Sequence, residues 1–227
     1  MIVAIDGPAA SGKSSTAKAV ARRLGFRHLD SGAFYRALTL AALRAGIPRD
    51  RWDSLSKDEL DRLGVASQPA EEGFRFLIHA KDVTDEIRAD AVNANVSHIA
   101  RVPAVRDWLM QRLRAAATTD LVADGRDIGT VVFPDADVKI FITAAAGERA
   151  RRRLLERGGE DPDPDAVASE TERLIERDRL DTDRDVAPLR RAPDATVIDT
   201  SDLNFEAQVE RVVELVRARQ RVDAQAG

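Results

Sequence analysis

Gly7-Pro8-Ala9-Ala10-Ser11-Gly12-Lys13-Ser14 follows a short apolar run, Ile2-Val3-Ala4-Ile5, that is β-branched at three of its four positions. The run reads as a buried parallel strand. Beyond the octet, Ala17, Val20, Ala21 and Leu24 recur at helical spacing, and Gly25 stands where a helix begun at Lys13 would be capped. The octet fits G-x-x-x-x-G-K-[ST] throughout, with the strand before it and the helix after it that give the pattern its mechanical meaning. Glycines at 7 and 12 permit backbone paths and close approaches that a side chain would block. Successive N–H groups then face one concavity and bind phosphate oxygens, and the following helix adds its N-terminal partial charge. Lys13 is placed for the β- and γ-phosphates of a nucleotide and the Ser14 hydroxyl for Mg²⁺. The octet, with Ser15, is therefore read as the site of nucleoside-triphosphate phosphates. The motif alone leaves kinases, motors and switches open.

Outward from this unit, strands and helices alternate. Strands are expected at Arg27–Leu29, Leu121–Ala123, Val138–Ile142 and Ala195–Ile198. Helices are expected from Asp30-Ser31-Gly32 through Leu43, from Ala91 to Arg101, from Pro103 to Ala117, over Glu148–Glu156 and Ala166–Leu180, and from Asn204 to Arg219. Residues from Val222 to Gly227 are expected to fray. Ser56 and Glu59 form a capping-box pair for a short helix ending near Gly64. Such alternation predicts an α/β fold, a parallel sheet with helices on both faces. Residues 65–90 differ: Val65–Gln68, Phe74–His79 and Val83–Ile87 read as short antiparallel strands, with turns at Glu72-Gly73 and Lys81-Asp82. Gly158-Gly159-Glu160-Asp161-Pro162-Asp163-Pro164-Asp165 is a loop by composition.

With 227 residues, the chain holds one sizeable core. A net charge of −4 argues against non-specific nucleic-acid binding. The absence of cysteine excludes disulfides, thiolate metal sites and a cysteine nucleophile. No run approaches the roughly 18 apolar residues of a membrane span, and the N-terminus lacks a basic leader region. A cytoplasmic protein without membrane association is expected. His28, His79 and His98 show no metal-ligand spacing and are read as structural or solvated; Trp52 and Trp108 are read as partial core residues.

Asp124 ends an apolar strand, where an α/β enzyme of this type holds Mg²⁺ directly or through water, although an aspartate before Gly125 also suits a turn. A kinase needs a second pocket for its acceptor. Asp30–Arg36 follows the second strand, Arg126 and Asp127 follow the third, and Arg177, Asp181 and Arg184 share one helical face if that helix continues far enough. Arginines suit a dianionic phosphate through forked hydrogen bonds.

Together, Gly7–Ser14, Asp30-Ser31-Gly32-Ala33-Phe34-Tyr35-Arg36, Asp124-Gly125-Arg126-Asp127-Ile128-Gly129-Thr130-Val131-Val132-Phe133-Pro134, and Glu176-Arg177-Asp178 with Val186-Ala187-Pro188-Leu189 resemble the bacterial cytidylate kinases. The resemblance runs over essentially the whole chain. It implies a P-loop NTPase fold with a five-stranded parallel sheet, a small β-rich insertion in a monophosphate-binding domain, and a short lid. The implied division is core at 1–30, 104–150 and 169–227, monophosphate-binding domain at 31–103, and lid at 151–168. It implies transfer of a phosphoryl group from ATP to CMP or dCMP, with Mg²⁺. Ser31, Arg36 and Arg126 are the implied holders of the acceptor phosphate, and Ser97, Arg106 and Asp127 the implied readers of cytosine. Arg177, Asp181 and Arg184 are the implied ribose and phosphate contacts. Lys13, Arg126, Arg153 and Arg184 are implied to act on the transferring group. Arg149, Arg152 and Arg153 crowd the lid, and one or two of them, with Arg149 and Arg153 the first candidates, are expected to touch ATP. A monomer is expected. The competing readings are a P-loop kinase for another nucleotide or a small acceptor, and a nucleotide-dependent switch without transfer.

Overall fold

The structure, a computed structural model, describes residues 1–158 and 161–226. Gly159 and Glu160 of the expected lid loop, and Gly227, lie outside the described residues.

Five strands form one parallel sheet: β1 (Ile2–Asp6), β2 (Arg27–Asp30), β6 (Leu121–Gly125), β7 (Val138–Thr143) and β8 (Thr196–Asp199), in the order β2-β6-β1-β7-β8. β1 lies at the centre, paired with β6 as Asp6↔Gly125 and with β7 as Asp6↔Phe141. Strand residues alternate between two cores, as the period of two requires. Ala4, Leu29, Leu121 and Ala123 face one core, built with α2 (Ser31–Arg44), α4 (Asp90–Ile99) and α5 (Pro103–Ala115). Val3, Ile5, Val122, Ile140 and Ile142 face the other, against α1 (Lys13–Leu24) and α8 (Phe205–Ala226). Both faces are covered, which explains why these strands read as continuous apolar runs.

Local signals hold closely in the first half. Gly25 caps α1 with φ 70°, and the Asp30 side chain accepts from the Ala33 N–H to start α2. The Ser56–Glu59 capping box forms and opens α3 (Lys57–Arg62). Trp52 and Trp108 are fully rather than partly buried; their indole N–H groups donate to the Ile47 carbonyl and to Asp61.

The insertion is a three-stranded antiparallel sheet of β3 (Val65–Ala70), β4 (Gly73–Ile78) and β5 (Lys81–Asp82). Its third strand is not Val83–Ile87. The chain reverses at His79-Ala80, both with left-handed φ (47° and 66°), so Lys81-Asp82 pairs where a turn was expected. Val83 and Ile87 instead form one helical turn, with the Ile87 N–H donating to the Val83 carbonyl. A spacing of four places both apolar side chains in the core. Phe76 seats the small sheet against Phe34, edge to face at 4.9 Å.

Two later departures matter. After β6 the chain makes a single π-helical turn, Ile128–Val132, which no local pattern announced. At the C-terminus α8 runs on through Ala226 rather than fraying at Val222, and an Arg219–Asp223 ion pair of 2.9 Å spans one turn of that extension. α6 (Ala146–Gly158) and α7 (Pro164–Thr182) complete the fold.

Candidate active site

The carboxyl ends of β1, β2 and β6 open onto one cavity of about 350 Å³, at the side of the sheet where the strand order reverses. The loop after β1 forms its floor. A Cβ on Gly7 would fall 2.1 Å from the Ile142 carbonyl oxygen, so only glycine lets the loop leave β1 against β7. Gly12 takes φ 81°, the left-handed start from which α1 begins. The loop tip is tied from behind. Asp178 on α7 accepts the Ala9 N–H at 2.9 Å, and Arg149 donates to the Ala9 carbonyl and to Asp178 at 2.9 and 2.6 Å.

Lys13 Nζ lies 3.1 Å from the Pro8 carbonyl. Burial pulls its ammonium down to about 7, and Arg126 pushes the same way, against the opposing charges of Asp124 and Asp181. Ser14 Oγ donates to Asp124 Oδ2, and His28 Nε2 lies 2.7 Å from Asp124 Oδ1. Burial works to raise the Asp124 pKa, but the His28 and Ser14 hydrogen bonds and the charges of His28 and Lys13 outweigh it and hold the carboxyl below its ordinary value. A buried carboxylate beside a hydroxyl on the cavity wall is an oxygen-donor pair that suits a hard divalent cation.

The opposite wall is arginine-rich. Ser31 lines it and donates to the Asp124 carbonyl at 2.8 Å. Arg126 is held by Asp181, Nε to Oδ2 at 2.8 Å. Arg36 meets Asn93 but no carboxylate, and the buried Nε of Arg177 has no partner among the described residues. Burial lowers both Arg36 and Arg177 to about 10. Arg126 and Arg153 add repulsion to each, and Arg36 and Arg177 face one another in the same way. Asp30 and Asp181 offset this only in part, and guanidinium groups crowded in excess of counter-charge suit a polyanion.

Deeper in, Asp127 sits between two arginines. Arg106 Nη2 approaches Oδ2 at 2.5 Å and Arg184 Nη2 approaches Oδ1 at 3.4 Å, all three side chains being buried. Tyr35 lies under the Arg106 guanidinium, 5.5 Å from ring centroid to Cζ, and Ser97 also lines the cavity.

Most of the expected side chains thus converge: Lys13, Ser14, Ser31, Arg36, Ser97, Arg106, Asp124, Arg126, Asp127, Arg153, Arg177, Asp181 and Arg184 all line the cavity. Arg184 arrives by a route other than the expected helical face, because α7 ends at Thr182. A left-handed Ala187 (φ 49°) bends the chain back, and the Ala187 carbonyl accepts from Arg184 Nε. Arg149 does not reach the cavity; its guanidinium is spent on the Ala144 and Ala9 carbonyls and Asp178. Arg153 does reach it, held at 3.0 Å by the buried Glu170, and Arg152 lines it while bonded to the Thr200 carbonyl at 2.6 Å. Sequence reasoning missed His28 behind Asp124 and Arg88, which pairs with Asp30 at 3.0 Å on the rim.

The family model described as cytidylate kinase matches residues 3–218. The chain is similar to a cytidylate kinase of Mycobacterium avium (strain 104), 47% identical over 227 residues that cover 98% of this chain and 97% of that one. It is likewise similar to a cytidylate kinase of Geobacillus kaustophilus (strain HTA426), 46% identical over 222 residues and 96% of each chain. Among solved structures, an uncharacterized protein from Eubacterium ventriosum ATCC 27560 superposes with a TM-score of 0.51 at 12% identity, over 96% of this chain and 98% of that one, a likeness of fold alone. Matched from one end of the sheet to the other by that model and by relatives near half identity, the chain belongs to the cytidylate kinase family.

Proposed function

We propose that the protein transfers the terminal phosphoryl group of ATP to CMP and dCMP, giving ADP and the cytidine diphosphate. The observation that carries the reading is one cavity with two anion-binding parts and a charged base-reading pair. The phosphate loop with Lys13 serves the donor, Arg36, Arg126 and Arg177 serve an acceptor phosphate, and Asp127 with Arg106 closes the far end.

Cytosine presents an amino donor at N4 and acceptors at N3 and O2. Asp127 accepts from N4, and Arg106 donates to the acceptor edge; Ser97 lies beside them. Uracil would turn a carbonyl oxygen toward the Asp127 carboxylate and be repelled. Asp181, fixed by Arg126, is placed for the ribose.

The acceptor phosphate oxygen is already anionic, so no residue need act as general base. Catalysis is positioning and charge neutralisation. Lys13 and the loop amides hold the donor phosphates, Arg126 and Arg184 orient the acceptor, and Arg153 exchanges Glu170 for the transferring group as residues 151–168 close as a lid. Closure excludes water, the competing acceptor. Residues 31–103 serve as the monophosphate-binding domain around the cores at 1–30, 104–150 and 169–227. The loop residues Gly7 to Ser15 form the ATP site. Arg149 supports it from behind. Ser14 and Asp124 would hold Mg²⁺, which when bound neutralises charge between the β- and γ-phosphates. The protein acts as a cytoplasmic monomer on small-molecule substrates, without nucleic acid.

The test is product identification. Incubation with Mg-ATP and CMP should yield CDP and ADP in equal amounts by anion-exchange chromatography, with neither formed when CMP is left out. ADP without CDP would point to the switch reading.

A further inference from the structure

Asp6 ends β1 one residue before Gly7 and has no role in the chemistry above. Its side chain is buried, 4% exposed. Oδ1 accepts from the Ile128 N–H and Oδ2 from the Gly129 N–H, each at 2.8 Å. These are the first two amides of the π-helical turn Ile128–Val132. Three later ones are satisfied within the turn: the Val131 and Val132 N–H groups donate to the Asp127 carbonyl, and that of Phe133 to the Ile128 carbonyl.

An aspartate at the head of a helical turn ordinarily folds its carboxylate back onto the first free N–H groups. Asp127 stands at that position and makes no such bond. Its carboxylate points to Arg106 and Arg184 instead. One of the donors it would satisfy, the Gly129 N–H, is taken by Asp6, from a strand 121 residues earlier in the chain.

The geometry points to Asp6 as the positioning residue for base recognition: it caps the turn in place of Asp127 and so leaves the Asp127 carboxylate free to read cytosine. This rests on the reading of Asp127 proposed above. The two residues divide one task. Removing Asp6 would free the Gly129 amide within the turn that Asp127 heads, and the carboxylate would be drawn from the acceptor toward the backbone. Asp6 also immediately precedes the phosphate loop, so the same carboxylate joins the base-reading turn to the floor of the donor site.

The experiment is steady-state kinetics of Asp6→Asn with ATP, CMP and UMP. The amide keeps the shape but turns an N–H₂ group toward one of the two N–H donors. The KM for CMP should rise about tenfold or more, and the CMP-over-UMP ratio of kcat/KM should fall by a similar factor, while the KM for ATP stays within about twofold. Equal rises in both KM values would show that Asp6 merely shapes the adjacent loop and would overturn the assignment. In an Asp127→Ala background the Asp6→Asn change should alter the KM for CMP by less than about twofold, because the residue it positions is gone. An undiminished effect there would also overturn it. If Asp6→Asn does not fold, Asp6→Ser carries the same test: it is smaller and offers one acceptor oxygen in place of the two that hold the Ile128 and Gly129 N–H groups. The wild-type enzyme separates the two failures. A wild type that does not prefer CMP over UMP sinks the reading of Asp127, whereas a discriminating wild type with equally discriminating variants sinks only the role of Asp6.

Discussion

Arg106 and Asp127 form an ion pair with 2% and 6% of their side chains exposed, and the same carboxylate faces Arg184. A buried pair of this kind is costly to break from one side, because the partner is left charged and dry. Asp127→Ala strands two arginines. It should lower unfolding free energy by about 3 kcal/mol and reduce kcat/KM for CMP by at least about 10²-fold, with a far smaller effect on the KM for ATP. Urea unfolding and two-substrate kinetics check both parts. Equal losses for CMP and ATP would count against a base-reading role.

Arg177 sets the opposite balance, with its buried Nε unpartnered and its pKa pulled to about 10 by burial and by Arg126. Arg177→Met removes a charge that the ligand-free protein pays to bury. We expect the ligand-free melting temperature to rise by a few degrees, about 1 kcal/mol of stability, while kcat/KM falls about 10²-fold. A lower melting temperature would show that Arg177 stabilises the empty site.

Asp124 and Ser14, joined by a hydrogen bond, are the oxygen pair proposed above for Mg²⁺. Asp124→Asn should raise the Mg²⁺ concentration for half-maximal rate by about 10- to 100-fold. Metal titrations at saturating ATP and CMP measure it, and excess chelator should abolish turnover by wild type and variant alike. An unchanged Mg²⁺ requirement would move the metal elsewhere.

Asp6 supplies a pH test. Burial lifts its pKa from 3.8 to about 6, against the lowering effect of its two amide bonds. The folded chain therefore holds this proton more tightly than the unfolded chain. The stabilisation is complete below about 3.8 and is lost as pH rises through about 6. Relative to Asp6→Asn, the wild type should gain about 1 kcal/mol of unfolding free energy between pH 7 and pH 5. A constant difference would mean that Asp6 titrates no differently in the two states.

The parts of this fold that could be read from the chain were those set by neighbours in sequence. The phosphate loop, α1 with its Gly25 cap, the Ser56–Glu59 box and the alternation of β4 all follow from short-range spacing. Resemblance carried most of the acceptor wall, since no local rule brings Ser97, Arg106 and Asp127 to one place. What escaped was set at long range. The turn at Ile128–Val132 is capped from β1, and β5 exists because His79 and Ala80 tolerate left-handed backbone. Spacing alone does not separate Arg149 from Arg152 and Arg153, because an arginine-rich helix does not disclose its phase. Only packing against Asp178 and the Ala9 carbonyl shows which arginine faces the protein.

The most direct measurement is ADP formation from Mg-ATP in a coupled assay, with CMP, dCMP, UMP, AMP, GMP, shikimate and no acceptor in parallel. Rapid turnover with CMP and dCMP, with the other acceptors far slower, is the predicted result. Preference for any other acceptor, or ADP formation that needs no acceptor, would contradict the account.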